Sequence, residues 1–397
     1  MEPGTSDPAD PSPSASFDPP PFSASAQGYD LTFFTAGHDR LTALLALIDG
    51  ARASLRLCFY IFADDDSGRQ VVAALTAAVR RGVEVSLIVD GFGSSATPEA
   101  LFAPLWHAGA RFCRFSPRRT IRYLIRNHQK IAIADGAVAL IGGFNVEDSY
   151  FAPPEQDGWH DLAVRVEGPA VARLADWFDG LLAWTLDPHA QWRAIRRLLR
   201  EWDPGDGPVQ WLLGGPTAGL SSWARCVSED LRRGRRLDMI MAYFSPGARL
   251  LARIGRIGRH GDANLVLAAR SDNGATIGAS RLLYGSLLKR KARIWEFEPS
   301  KLHTKLIVLD DAVYLGSANF DMRSLFINLE LMLRIEDAVL AERLRGYVRQ
   351  HLPACQQITR ELHQSRLTLL NRLRWTLSWF IVAVVDYTVT RRLNFGQ

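Results

Sequence analysis

The amino-acid sequence predicts an α/β protein made of two similar domains in one chain of 397 residues. Strand-like apolar segments alternate with helical segments, and the order of these segments repeats after about 175 residues. Strands that alternate with helices at this spacing are typical of parallel sheets covered by helices. The length accommodates two or three domains. A composition of 47% hydrophobic and 22% charged residues excludes a largely disordered or collagen-like chain.

The two halves match element by element. Each opens with a strand and a helix, continues with a strand that ends in aromatic residues, and then has a second helix and a buried strand. The matched segments are Leu31–Phe34 with a helix to about Gly50, Leu55–Phe62 and Val83–Asp90 in the first half, and Val209–Leu213 with the helix Leu220–Arg232, Leu237–Phe244 and Ala263–Arg270 in the second.

Four regions follow from this pattern. Residues 1–28 contain seven prolines and six serines but few large apolar side chains, so they are predicted to form a disordered tail. The first domain is expected at 29–202 and the second at 203–345, because the Pro- and Gly-rich run that begins at Asp203 separates the repeats. Residues 346–397 are expected to form a C-terminal helical segment.

The charge of the chain points to an anionic partner. There are 47 Lys and Arg residues against 42 Asp and Glu, and the predicted tail contains acidic residues but no basic one. The remainder is therefore more basic than the net charge of +5 indicates. Nucleic acid and the phosphates of a membrane surface would both fit, and charge alone does not choose between them. Only five of the basic residues are lysines.

The cysteines favour a reducing, intracellular compartment. Cys58, Cys113, Cys226 and Cys355 form no C-x-x-C pair, which argues against a disulfide framework or a zinc site. The N-terminal residues lack the basic start and apolar run of a signal peptide, so secretion by that route is not expected.

The repeat is sharpest in a motif of the form H-x-K-x4-D. Each copy continues into a short strand, a turn of small residues with an asparagine, and an acidic residue at the start of the next strand. The residues are His128, Lys130, Asp135, Asn145 and Asp161 in the first half, and His303, Lys305, Asp310, Ser317, Asn319 and Glu330 in the second.

This motif can support chemistry at phosphorus. On a strand the histidine and lysine share one face, since residues i and i+2 point the same way. An imidazole can attack phosphorus or protonate a leaving oxygen, and an ammonium binds phosphate oxygens. Two such pairs facing each other would hold one phosphodiester. No cluster of metal ligands is visible, and this chemistry needs no metal and no cofactor. One His-x-Lys would be an ordinary strand pair, but two matched copies make chance a poor explanation.

These residues resemble the HKD signature of the phospholipase D superfamily, and their context resembles bacterial cardiolipin synthases that lack paired N-terminal transmembrane helices. The resemblance runs from about Tyr29 to Glu336. It implies two phospholipase D-like α/β/α sandwich domains with the active site between them. It also implies a two-step transfer through a phosphohistidine.

The resemblance also suggests a role for each residue of the motif. His128 would be the nucleophile and His303 the general acid, with the reverse assignment left open. The phosphoryl oxygens would be bound by Lys130, Lys305, Asn145 and Asn319. A catalytic imidazole would be oriented by Asp161 or Glu330, and Asp135 and Asp310 would position the loop and the lysine. The first copy has Gly143 at the position that Ser317 occupies in the second copy, so a hydroxyl contact to phosphate is expected from one half only.

Two kinds of segment bear on the substrate. Basic and aromatic residues are interleaved at 114–128 and 289–295, a pattern that fits nucleic acid, lipid phosphates or a solvated surface. The apolar run Trp375–Val385 is too short for the roughly 20 residues of a membrane span, but its Trp and flanking Arg residues suit an interfacial helix. A terminal helix packed on the core is the alternative.

The sequence therefore predicts a phosphatidyltransferase that makes cardiolipin by transphosphatidylation to phosphatidylglycerol. Its partners would be phosphatidylglycerol, a second phospholipid and the membrane surface, with no nucleic acid expected. The alternatives are a phospholipase D-type hydrolase and a nuclease of the same superfamily. The resemblance implies a peripheral location on the cytoplasmic side of the bacterial inner membrane.

Overall fold

The computed structural model describes residues 17–116, 125–217 and 219–385. The elements of the first half are β1 (Phe22–Ala26), β2 (Tyr29–Phe34), α1 (Gly37–Gly50), β3 (Ser54–Phe59), α2 (Asp66–Arg80), β4 (Glu84–Asp90), α3 (Ala103–Ala108), β5 (Arg111–Phe115), β6 (Ile131–Ala134), β7 (Val138–Gly142), α4 (Asp148–Phe151), β8 (Trp159–His160), β9 (Ala163–Glu167), α5 (Val171–Leu186) and α6 (Trp192–Glu201).

The second half repeats this order with small changes. Its elements are β10 (Val209–Gly214), α7 (Ser222–Arg233), β11 (Arg236–Met241), β12 (Phe244–Ser245), α8 (Ala248–His260), β13 (Asp262–Ala268), α9 (Gly274–Leu288), β14 (Arg293–Phe297), β15 (Lys301–Leu302), β16 (Lys305–Leu309), β17 (Ala312–Gly316), β18 (Phe320–Asp321), α10 (Met322–Phe326), β19 (Glu330–Glu336), α11 (Ala338–His351), β20 (Cys355–Ile358), α12 (Arg360–Arg366) and α13 (Leu369–Trp379).

Each half is built on one large sheet, which confirms the predicted α/β repeat. Over the described residues the strand orders are β1-β2-β9-β7-β6-β3-β4-β5 and β10-β19-β17-β16-β11-β13-β14-β20. The prediction of parallel sheets is wrong for the other five strands of each large sheet, because only β3-β4-β5 and β11-β13-β14 run parallel there. Short turns join β6 to β7 and β16 to β17, and such turns can connect only antiparallel strands.

The apolar core has three parts. One cluster lies under α1 and α2 on the outer face of the first sheet, and another lies under α7 and α8 on the outer face of the second. The third cluster joins the inner faces of both sheets through α5 and α11. Each sheet therefore has helices on both faces, as an α/β/α sandwich requires, and the two halves share one core.

Both predicted terminal boundaries need correction. The folded part begins before Tyr29, since Phe17 is buried and β1 pairs with β2. The prediction for 1–16 falls outside the described residues. The boundary at 345 lies inside α11, and the C-terminal segment is not only helical, because β20 extends the second sheet beside β14. In the described ranges, no helix combines the length and the apolar character that crossing a bilayer requires.

Candidate active site

The two H-x-K motifs meet at the edge where the parallel strands of each sheet end. His128 and Lys130 directly precede β6, and His303 and Lys305 stand at the start of β16. Each lysine ammonium donates to the carbonyl of its own histidine, at 2.8 Å for Lys130 Nζ and His128 O and in a second short contact between Lys305 and His303. The structure thus brings together the four residues that the sequence placed on two separate strands.

Each histidine is paired with a carboxylate of the other half. His128 Nδ1 lies 3.0 Å from the Glu330 carboxylate, and His303 Nδ1 lies 2.8 Å from Asp161 Oδ2. Both carboxylates are fully buried. A carboxylate at Nδ1 holds the proton on that nitrogen and leaves the lone pair on Nε2, so both imidazoles are set to act through Nε2.

Backbone contacts across the halves fix the same arrangement. His128 N donates to Leu329 O at 2.9 Å, and His303 N donates to His160 O at 2.8 Å. In each case the accepting carbonyl belongs to the residue just before the partner carboxylate. Each histidine is therefore held twice by the opposite half, and neither half contains a complete site.

Burial keeps both imidazoles neutral. It lowers the pKa of His128 to about 4, with Glu330 opposing the shift and Lys130 adding to it. It lowers the pKa of His303 to about 3, where Lys305 adds to the shift and Asp161 opposes it. Both side chains are therefore neutral at neutral pH and can offer a lone pair to phosphorus.

The lysines and one carboxylate are shifted as well. Burial lowers the pKa of Lys130 to about 7 against the opposing charge of Glu330, and lowers the pKa of Lys305 to about 8 against Asp161. Burial pushes the pKa of Asp161 upward, but the hydrogen bond with His303 and the charges of Lys305 and Arg40 outweigh it and hold that pKa below its usual range. With both imidazoles neutral, two buried lysines lie beside two buried carboxylates, and the ammonium groups supply the positive charge that a phosphodiester anion would meet.

The two carboxylates are supported differently. Ser317 Oγ donates to the Glu330 carboxylate at 2.5 Å and accepts from Leu331 N at 3.0 Å. A Cβ at the matching Gly143 would lie only 2.6 Å from each carboxylate oxygen of Asp161. The shorter Asp161 therefore requires glycine beside it, whereas the longer Glu330 has room for a serine that holds it. Ser317 contacts the carboxylate in this structure, and its contact with phosphate stays a prediction.

The two asparagines are buried near the motifs. Asn145 Oδ1 accepts from Ile61 N at 3.1 Å, so its carbonyl side holds the loop after β3. Asn319 Oδ1 is buried and has no hydrogen-bond partner among the described residues. Binding of phosphoryl oxygens by these side chains stays a prediction.

Asp135 and Asp310 lie away from the histidines and hold backbone loops, which is one part of their predicted role; among the described residues neither forms a hydrogen bond or ion pair with a lysine. Each lies at the far end of its strand, five positions after the lysine, which corresponds to about 16 Å along an extended strand. Asp135 accepts from Ala53 N at 2.7 Å and Ser54 N at 2.8 Å, and Asp310 accepts from the amides of Arg235 and Arg236 at 3.0 and 2.8 Å. Both have left-handed backbone and close the turn after the strand.

The first predicted basic run is described only at its two ends, where Arg126 forms a hydrogen bond with Tyr60 beside His128. Arg118, Arg119 and Arg122 fall outside the described residues. The second run, near Lys289 and Arg293, lies at the start of β14, opposite the edge that carries the histidines. Arg293 pairs there with Asp262 at 2.8 Å. This surface does not lead to the site.

Sequence reasoning missed an aromatic lining and its support. Tyr60 packs edge-on against His128 with ring centroids 4.9 Å apart, and Tyr150 and Trp159 approach His303 at 5.0 and 5.3 Å. Behind them, the fully buried Arg40 of α1 donates to several loop carbonyls, including Asp161 O at 2.7 Å. The sequence contained a signal for this arginine, because Arg40 falls on the apolar stripe of its helix, where a charged side chain indicates a buried residue with polar partners.

Comparison with known proteins identifies the family. The family described as "Cardiolipin synthase, PLD-like domain" matches residues 44–182 and 229–352, more than half of the chain. The major cardiolipin synthase of Bacillus subtilis (strain 168) is 29% identical over 342 residues, covering 84% of this chain and 70% of that protein. Cardiolipin synthase B of Escherichia coli (strain K12) is 28% identical over 366 residues, covering 90% and 87%.

A solved structure shows the same fold. Phosphatidylserine synthase of Haemophilus influenzae Rd KW20 superposes with a TM-score of 0.69 at 16% sequence identity, covering 94% of this chain and 98% of that one. The matched family regions contain both histidines, both lysines and both partner carboxylates. The chain therefore belongs to the cardiolipin synthase family of phospholipase D-like enzymes.

Proposed function

We propose that the protein makes cardiolipin by transferring a phosphatidyl group to phosphatidylglycerol through a phosphohistidine on His128. The observation that carries the proposal is the crossed pairing of two neutral imidazoles with Glu330 and Asp161, beside two buried lysines. Family membership supports the transferase over a nuclease. The relatives named above are cardiolipin synthases, and the shared fold alone would not separate these activities.

In the first step His128 Nε2 attacks the phosphorus of the donor phospholipid. The bond between phosphorus and the head-group oxygen breaks, and the departing alcohol takes a proton from His303. His128 is the better nucleophile of the two because its side chain is 12% exposed against 5% for His303. In addition, the Tyr150 hydroxyl lies 3.4 Å from His303 Nε2. The anion bound between the lysines raises the pKa of His303 toward the value a general acid needs.

In the second step a hydroxyl of phosphatidylglycerol replaces the histidine. His303 Nε2 accepts the hydroxyl proton, the oxygen attacks phosphorus, and the bond to His128 breaks to release cardiolipin. His303 thus regains the proton it gave in the first step. Lys130 and Lys305, with Asn145 and Asn319, would stabilise the charge on the phosphoryl oxygens in both steps.

Both substrates are lipids, so the enzyme would work at a membrane surface. We place it as a peripheral protein on the cytoplasmic side of the bacterial inner membrane, in contact with phosphatidylglycerol and a second phospholipid. The basic charge of the chain supports attraction to anionic lipid.

Substitution of each histidine tests the function. Purified His128→Asn and His303→Asn proteins are incubated with phosphatidylglycerol, and the lipid products are measured by mass spectrometry. Asparagine can neither form the phosphohistidine nor carry the proton. We therefore expect the rate of cardiolipin synthesis to fall by a factor of about 100 to 10,000. Exposed His38 is the matched control, and His38→Asn should retain full synthesis.

The products separate the alternatives. Cardiolipin and free glycerol indicate transfer between two phosphatidylglycerol molecules, whereas phosphatidic acid as the main product would indicate hydrolysis and overturn the transferase. Unchanged cardiolipin synthesis by His128→Asn would overturn the site. Recovery of an acid-labile phosphoryl group on His128, rather than His303, would establish the order of the two residues.

A further inference from the structure

The last described helix presents an apolar face to the outside of the molecule. Four leucines of α13 lie along it, with Leu370 74% and Leu373 68% exposed. Phe380 and Ile381 continue the face into the π-helical turn that follows. The spacing of these residues is that of one side of a helix, so they form a continuous stripe and not scattered surface leucines.

The opposite side of α13 is fixed to the body of the protein. Trp375 is buried and stacks on His363 with ring centroids 5.8 Å apart. Ser378 lies so close to Gly278 of α9 that a Cβ there would come within 2.7 Å of its hydroxyl. The exposed stripe is therefore held outward on a well-packed helix.

A basic cavity of about 360 Å³ lies where α13 crosses α9. Its walls include Arg281, Arg366, Arg374 and the Asn371 side chain. Glu296 pairs with Arg281 at 2.8 Å and with Arg366 at 3.0 Å, so one carboxylate serves two guanidinium groups. No acceptor in the described part of the chain contacts Arg374, which is exposed and lines the cavity. The cavity thus keeps a positive charge beside the apolar stripe.

This surface and the catalytic histidines lie at the same edge of the second sheet. The cavity is lined by Ala269, in the connection from β13 to α9, and by Gly274, the first residue of α9. Asp272 of that connection accepts from the Tyr243 hydroxyl at 2.8 Å, and the Tyr243 ring is 6.5 Å from His303. Short contacts therefore link the cavity region to the active site.

We propose that α9 and α13 form a docking site for an anionic phospholipid bilayer. The apolar stripe enters the lipid interface, and the cavity binds the phosphate of a lipid that does not react, with Arg374 as its main contact. Apolar burial together with basic residues is the combination that holds interfacial helices on anionic membranes. The docking site rests on the proposed function in one respect, namely that the substrates are lipids of a bilayer. Docking through α9 and α13 would turn the active-site edge of the second sheet toward that bilayer.

The test measures vesicle binding by the full-length His128→Asn protein, so turnover plays no part. Vesicles consist of phosphatidylcholine alone or with about one third phosphatidylglycerol. We expect Arg374→Glu to weaken binding to the anionic vesicles about tenfold or more without changing binding to the neutral ones. The double variant Leu370→Ser with Leu373→Ser should weaken binding to both kinds about tenfold.

Matched controls lie on other surfaces. Leu186→Ser removes an exposed leucine at the end of α5, and Arg69→Glu reverses the charge of an exposed residue on α2. Both variants should bind vesicles as strongly as the His128→Asn protein without further substitutions. Unchanged preference for anionic vesicles in Arg374→Glu would overturn the proposal. The proposal would also be overturned if the His128→Asn protein without further substitutions sedimented as a dimer, and if Leu370→Ser with Leu373→Ser made that protein monomeric without weakening vesicle binding. A parent that binds vesicles through these residues but makes no cardiolipin would leave the docking site standing and refute only the function.

Discussion

Among the two histidines and two lysines of the site, Lys130 and Lys305 are the residues whose charge is most sensitive to pH near neutrality. Burial lowers their pKa to about 7 and about 8, so the ammonium forms are present below these values and are lost as the pH rises through them. The histidines, with pKa values of about 4 and 3, do not change charge in this range when the site is empty. The pH dependence of anion affinity should therefore follow the protonation of the two lysines.

Sulfate provides the measurement, because its charge does not change between pH 6 and pH 8. We expect its affinity, measured calorimetrically at constant ionic strength, to fall about tenfold over this interval as Lys130 loses its proton. Lys130→Met should bind sulfate more weakly at pH 6 and show only the later decline caused by Lys305. An affinity that stayed constant in the parent from pH 6 to pH 8 would contradict the assignment of these lysines to the anion site.

At the scale of elements, α1 organises the loops around His303. The Arg40 guanidinium donates to Tyr150 O at 2.7 Å, Trp159 O at 3.0 Å and Asp161 O at 2.7 Å, and it also contacts Thr35 O. One helix thus holds the backbone of two residues that line the imidazole and of the carboxylate that orients it. Four buried carbonyls depend on this side chain.

Replacement of Arg40 by methionine should therefore be severe. We expect the free energy of unfolding, measured by urea denaturation, to fall by about 3–5 kcal/mol, because the carbonyls stay buried without their donor. Arg69→Met is the comparison. Arg69 forms an exposed pair with Asp64, so its loss should cost about 1 kcal/mol or less. Equal stability of the two variants would show that the Arg40 contacts contribute little.

The sequence predicted elements well where pattern and local geometry agree. The doubled H-x-K motif placed His128 and His303 at matched strand starts, because period-two strands and sequence repeats are local signals. The pairing of His128 with Glu330 could not be predicted, since it depends on how the two sheets face each other. The expected proximity of Asp135 to Lys130 fails for a related reason. Five residues along the chain look close in sequence but span a whole strand.

The termini show a second limit. Strand β20 reads Cys-Gln-Gln-Ile, a short polar segment without the apolar alternation that indicates a strand. It forms because the edge of β14 offers hydrogen bonds. Phe17 lies in a segment rich in proline and serine, yet its ring packs edge-on against Phe297 of the other half with centroids 5.3 Å apart. In both cases tertiary contacts outweigh composition.

At the scale of the whole molecule, the two halves behave as one folding unit. The inner faces of both sheets contribute to a single apolar cluster through α5 and α11, and the catalytic pairs cross the boundary twice. A half on its own would expose this apolar face to water, and it would leave one histidine without its carboxylate. We therefore expect both stability and the proposed catalysis to require the two halves together.

Division of the chain between Asp206 and Gly207 tests this dependence. These residues are exposed in the connection between the halves, so the break itself removes little packing. Each fragment produced alone should be poorly soluble and should make at least a hundredfold less cardiolipin than the intact chain, because its shared core and one partner carboxylate are missing. Fragments produced together should copurify in equal amounts and restore synthesis.

A variant pair checks that the restored activity comes from the crossed contacts. Glu330→Gln in the second fragment leaves His128 of the first fragment without its carboxylate, so copurification should persist while synthesis drops by about a hundredfold. Arg69→Glu in the first fragment lies on the surface of α2 and should alter neither result. The two halves can meet at one phosphodiester only when their sheets share the core, so we expect neither fragment alone to make cardiolipin. Synthesis by one fragment alone would show that one H-x-K motif suffices and would contradict this expectation.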